Sequence, residues 1–189
     1  MKLKSPAVIF AFLLFTCCSS IAEAQITFDR PKSEGPLPNP YTMGAKRDDI
    51  LKTARDVLKA CSIPIDEEAS KASEGRIVTR DVVFTKGVTA KSDLEHLATL
   101  PSSQVRNWLQ GRFRLEVTSL ALDQNRAQLQ ISARIQGRIS GVLESERWID
   151  GVSNGTLEDE VLRGMAGKAL GIDLSVKGKG KRQILNCEY

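Results

Sequence analysis

Between Arg112 and Gln136 the chain reads RFRLEVTSLALDQNRAQLQISARIQ. Phe113, Leu115 and Val117 alternate with Arg114, Glu116 and Thr118. After the polar Asp123-Gln124-Asn125 the alternation resumes, with Leu129, Ile131, Ala133 and Ile135 against Gln128, Gln130, Ser132 and Arg134. A period of two sends successive side chains to opposite faces of a strand. Two such runs around a short polar connection predict an antiparallel hairpin, dry on one face and wet on the other. A lone hairpin is marginal in water, so its apolar face demands further strands and helices.

Those elements are readable on either side. Over Ala45 to Cys61, Ile50, Leu51, Ala54, Val57, Leu58 and Cys61 fall three and four apart, the stripe of an amphipathic helix, and Pro64 marks its end. Ile63-Pro64-Ile65, the acidic Asp66-Glu67-Glu68 turn and the β-branched run Arg76 to Phe84 predict a short and then a longer strand. Residues 86–111 read as an insertion. Ser92 can cap a short helix from Asp93 to Leu100, and Ser102 or Ser103 a second one carrying Val105, Trp108 and Leu109 and ending at Gly111. Those three apolar residues are candidate partner contacts, with Trp108 fitting a core position as well. Gly137 and Gly141 should interrupt the hairpin, and Leu143 to Asp150 supplies a further strand. Thr156, with Asp159 in the capping-box position, should open a helix over Leu157 to Leu170, and Gly171 should stop it. Its stripe is Leu157, Val161, Leu162, Met165, Ala166 and Leu170, and Gly164 and Gly167 would let it approach the sheet. The predicted fold class is α+β: an antiparallel sheet packed against this long C-terminal helix and an N-terminal one.

The ends carry address signals. Lys2 and Lys4 precede the apolar run Ala7 to Thr16, and Ala22-Glu23-Ala24 precedes Gln25, which predicts a signal peptide over residues 1–24 cleaved between Ala24 and Gln25. The apolar run is short of the roughly 20 residues that span a bilayer, which argues against an uncleaved anchor. Cys17 or Cys18 offers lipid attachment as an alternative, although Thr16 and Phe15 fit a lipobox poorly. Without Lys2, Lys4 and Glu23 the mature chain has 25 basic and 22 acidic residues, a net of +3, too balanced for a nucleic-acid protein. Residues 25–44, with four prolines, read as a linker or mobile arm in which Ile26 and Phe28 can supply an edge strand. Residues 45–174 form the expected domain. Residues 175–189 read as a basic flexible tail whose Lys177 to Arg182 suits an anionic membrane surface. Cys61 and Cys187 can pair in an oxidising compartment or stand as two free thiols; the sequence leaves both open.

Catalytic chemistry has little to work with. His96 is the single histidine, and its neighbours Ser92, Asp93 and Glu95 do not make a triad, which is assembled from distant segments. One histidine and two separated cysteines exclude a zinc site of ordinary spacing, and the acidic triplet lacks the alternating oxygens of a calcium loop. No GxGxxG or GxxxxGK[ST] is present, so no cofactor is expected. Asn154-Gly155-Thr156 is formally a glycosylation acceptor. An enzyme is not the expected reading.

The order helix, strand, strand, insertion, hairpin, strand, long terminal helix resembles the helix-grip domain. LKTARDVLKACSIPIDEEASKASEGRIVTR is similar to the helix and strand pair of bacterial envelope proteins in the BamC (NlpB) group, and RFRLEVTSLALDQNRAQLQISARIQ to their central hairpin. The resemblance covers roughly residues 46–172 and rests on pattern, with one such domain here and the insertion 86–111 added. It implies a periplasmic or outer-membrane-associated protein with an accessory role in outer-membrane protein assembly and a protein partner in the cell envelope. Two further functions fit the residues: a carrier of an apolar small molecule between helix and sheet, and a hydrolase with an unrecognised site.

Overall fold

A computed structural model describes residues 35–101, 107–140, 145–172, 174, 184–185 and 187. They form strands β1 (Tyr41–Met43), β2 (Arg76–Val78), β3 (Val82–Lys86), β4 (Ala98–Thr99), β5 (Asn107–Ala121), β6 (Ala127–Ser140) and β7 (Arg147–Ser153). The helices are α1 (Arg47–Ala60), α2 (Ala90–Leu97) and α3 (Thr156–Leu170). The fold is α+β, with one antiparallel sheet built on the β5–β6 hairpin. β2 and β3 pair with the free edge of β5, β1 and β7 with that of β6, and β4 with β7.

The alternation decides which face is dry. Phe113, Leu115 and Val117 of β5 and Leu129, Ile131 and Ile135 of β6 are all at most 2% exposed. All the described helices pack on this side, and their buried residues join the sheet's in one cluster. α1 contributes the expected stripe Ile50, Leu51, Ala54, Val57 and Leu58. α3 contributes Leu157, Val161, Leu162, Met165 and Ala166, but the expected Leu170 is 43% exposed and does not join them. Gly171, at φ 67°, ends α3 as expected.

Several expectations are corrected. The strand Arg76 to Phe84 is split by a bulge: three residues lie between Val78 and Val82, and two between their partners Glu116 and Phe113. In the bulge Thr79 is fully buried, its N–H donating to the Leu115 carbonyl and its Oγ1 accepting the Leu115 N–H at 2.9 Å. Thr79→Val should therefore strand the buried Leu115 N–H and cost about 1–2 kcal/mol, read from a urea midpoint. Thr79→Ser, which keeps the hydroxyl, should lose less than half of that; equal losses would contradict the role of the bond.

The second helix of the insertion is absent where the structure describes it. Asn107 to Gln110 belong to β5 and pair with Ser140, Ile139 and Arg138, with Val105 outside the described residues. Fourteen residue pairs of ladder outweigh a helical spacing carried by three side chains. α2 begins at Ala90, where the turn Gly87–Thr89 already runs into it, so Ser92 is inside the helix. It stops at Leu97 because Ala98 and Thr99 extend to pair with Ser153 and Val152. Gly137 does not interrupt the hairpin: it faces Gly111 across the ladder. Trp108 and the α2 residue Leu94 occupy the space a Cβ at Gly137 would need. The last strand is Arg147–Ser153, since Gly151 and its neighbours continue the ladder with β6; residues 141–144 are outside the described part.

The start of α3 also differs. Asn154 Oδ1 accepts the Thr156 N–H, Gly155 occupies the cap at φ 85°, and no side chain caps the helix. Asp159 instead accepts the Leu37 N–H at 2.7 Å and the Arg163 Nε–H at 2.8 Å. The close approach at Gly167 is to the Ile172 carbonyl and Leu174, where the chain turns back, and not to the sheet.

Neither terminal segment is free where described. Leu37 is tied to Asp159, Asn39 donates to the Ile131 carbonyl and accepts its N–H, and Met43 is 2% exposed. The edge strand of this arm is Tyr41–Met43, on β6; Ile26 and Phe28 lie outside the described residues. At the other end Leu185 is 6% exposed, its N–H donates to Glu160, and Cys187 is disulfide-bonded to Cys61. Those contacts replace the expected flexible tail at residues 184, 185 and 187. Lys177 to Arg182 lie outside the described residues, as do Cys17, Cys18, Ala24 and Gln25.

Candidate functional site

With one face sealed, the other carries the polar half of the alternation. Across β5 and β6 the outward pairs are Gln110–Arg138, Arg112–Gln136, Arg114–Arg134, Glu116–Ser132 and Thr118–Gln130. On β2, Arg76 lies opposite Thr118 and Val78 opposite Glu116, and Trp148 and Asp150 lie opposite Arg138 and Gln136 on β7.

The guanidinium groups are held by carboxylates from separate segments. Arg76 pairs with Glu116 at 2.7 Å, Arg112 with Asp81, Arg114 with Asp66 and Arg134 with Asp150 at 2.8 Å each, and Arg138 with Glu146. Arg112 also donates to Gln136 at 2.8 Å and lies 4.0 Å over the Trp148 ring, a cation–π contact. Gln136 hands the chain of bonds on to Asp150. Hydrogen bonds from Arg134 and Gln136 hold the Asp150 carboxyl below the usual carboxylate range, and Glu116 raises the Arg76 guanidinium. Exposed pairs of this kind each contribute little to stability; their effect is to fix the directions in which the guanidiniums point.

A cleft of about 290 Å³ opens in this face. Ala69 and Val78 give it an apolar side, and Arg76, Arg114, Arg134 and Ser132 a polar one.

The residues singled out from sequence are dispersed. Trp108 is half-buried against the core, over Gly137, so the sheet holds it inward; Leu109 is half-buried at a register shift of the same strand. His96 sits in the last turn of α2 with its Nε2 buried and unbonded among the described residues. Asp93 is buried and accepts the Thr85 hydroxyl, and the Asn154 side chain donates to the His96 carbonyl. Among the described residues no three His, Cys, Asp or Glu side chains are placed to hold a metal. No described helix is long and apolar enough to cross a membrane.

Sequence reasoning missed Glu160. Burial pushes its carboxyl above the ordinary range, the Leu185 and Ile184 N–H groups and His96 pull it back, and Asp159 adds to the rise. A raised folded-state carboxyl means that the folded chain binds the proton more tightly, so stability falls as pH climbs from the ordinary carboxylate range through the folded-state titration. Glu160→Gln should flatten this part of the pH–stability curve; an unchanged slope would assign it elsewhere. The missed ion pairs were equally hidden, since nothing in the alternation joins Asp66 or Asp81 to the hairpin.

Comparison with protein-family models, with curated proteins and with solved structures returns no match.

Proposed function

We propose that the chain is an exported, non-enzymatic cell-envelope protein that binds another protein through the open face of its sheet, an accessory role of the kind implied by the BamC-like pattern. The observation that carries this reading is the asymmetry of the sheet: three helices bury one face, and the other presents oriented guanidiniums, one aromatic ring and a cleft. A binding partner needs groups held in fixed directions, and the ion pairs supply that. The Cys61–Cys187 bond suits an oxidising compartment, which favours export.

The carrier reading fares worse. Leu115, Leu129, Leu162 and Ala166 between α3 and the sheet are all 0% exposed and belong to one continuous cluster, where a carrier needs a chamber of a few hundred Å³. The hydrolase reading lacks a nucleophile bonded to His96 among the described residues.

The test is chemical crosslinking of the tagged full-length chain in intact envelopes, followed by purification and a mass measurement of its N-terminus. One envelope protein recovered reproducibly, with an N-terminus at Gln25 or a lipid-modified cysteine, supports the reading. An unprocessed N-terminus, or recovery of the chain alone, overturns it.

A further inference from the structure

We infer that the cleft in the open face is a carboxylate-binding site, built on Arg114 and Arg134, for an acid group on a short aliphatic stem. Among the outward pairs of the hairpin, two set an arginine against a neutral glutamine: Gln110–Arg138 and Arg112–Gln136. In both, the glutamine oxygen accepts from that arginine. Arg114 and Arg134 alone place two cations directly opposite each other. Like charges at that spacing repel, and an anion between them turns the repulsion into attraction.

The existing counter-charges stand aside from that gap. Arg114 uses NH2 on Asp66, and Arg134 uses Nε and NH2 on Asp150. Neither aspartate lines the cleft; Glu116, which does, is engaged with Arg76 through both oxygens. A guanidinium has five N–H donors, so NH1 of each arginine still has hydrogens to give, and Arg114 Nε is buried without a hydrogen bond to any described residue. Two guanidinium edges and the exposed Ser132 hydroxyl are the donor set a carboxylate accepts from. Ala69 and Val78 supply an apolar wall for a stem of two or three carbons, which favours an aliphatic acid over hydrated inorganic phosphate. Both a free short-chain acid and a glutamate side chain on another protein carry this chemistry.

The oxidised full-length chain, labelled with ¹⁵N, is titrated at low salt with propionate, with N-acetyl-glutamate methylamide and with inorganic phosphate, following the arginine Nε–Hε signals by NMR. The expected result is a saturable shift of the Arg114 and Arg134 signals by both carboxylates, weakened at least tenfold in Arg134→Gln and unaltered in Arg126→Gln at the hairpin tip. Tighter binding of the glutamate compound than of propionate identifies a protein side chain as the source, and the reverse order a free acid. No saturable shift, an equal response in Arg134→Gln, or phosphate binding as well as propionate overturns the assignment. The readout needs no partner, so this site and the partner reading can fail separately.

Discussion

Replacing Cys61 and Cys187 together by alanine is expected to lower the unfolding free energy by about 4–5 kcal/mol, the chain-entropy value for so long a loop. The bonded cysteines stand 126 residues apart, so the closed loop takes in the whole β5–β6 hairpin and all of α3. Cys61 follows the last turn of α1, is 9% exposed and lies in the core cluster; Leu185, two residues before Cys187, is 6% exposed in the same cluster. The bond thus fastens the chain's end to α1 next to buried side chains, and opening it also frees Leu185 to leave its place. Guanidinium unfolding of the oxidised chain, the reduced chain and the double-alanine variant measures the effect. The two states without the bond, reduced and double-alanine, should agree with each other and fall well below the oxidised one. Midpoints within experimental error of the oxidised protein would mean that the tether contributes nothing.

Gly137→Val is expected to cost about 3 kcal/mol, at the upper end of overpacking penalties. A Cβ at Gly137 would stand 2.1 Å from a Trp108 ring carbon and 2.8 Å from a Leu94 methyl. Either the indole leaves its position on the inner face or α2 lifts from the ladder. The remedy is specific: Trp108→Ala empties the contested volume, so the double variant should be at least 1 kcal/mol more stable than the sum of the two single losses predicts. Additive losses would place the strain elsewhere, and a single variant as stable as wild type would contradict the packing of Trp108 over Gly137.

This glycine also shows what was legible in the sequence and what was not. A period of two located the hairpin, its dry face and its turn, because Phe113 to Thr118 and Gln128 to Ile135 obey it; the three- and four-residue spacing did the same for α1 and α3. Gly137 read as a break because the chain alone does not show Trp108 arriving from the opposite strand. Asn107 to Gln110 read as helical for a related reason: a short apolar run carries either period, and only pairing with Ser140 to Arg138 decides. The bulge at Thr79 and the docking of Leu37 and Asn39 depend on hydrogen bonds to residues far off in sequence, 36 positions for Thr79 and 92 for Asn39. The candidate site was half visible. Alternation assigned Arg114 and Arg134 to the wet face, but their partners Asp66 and Asp150, and the strand register that sets one arginine against the other, depend on segments that the alternation does not connect.

The decisive measurement is a photo-crosslinking scan in intact envelopes, with a photoreactive residue placed in turn at Gln130 and Ser132 on the open face and at Lys91 and Glu95 on the exposed side of α2. Recognition through the open face predicts a discrete adduct from the two sheet positions and none from the helix. Adducts from the helix with silence at the sheet would contradict it.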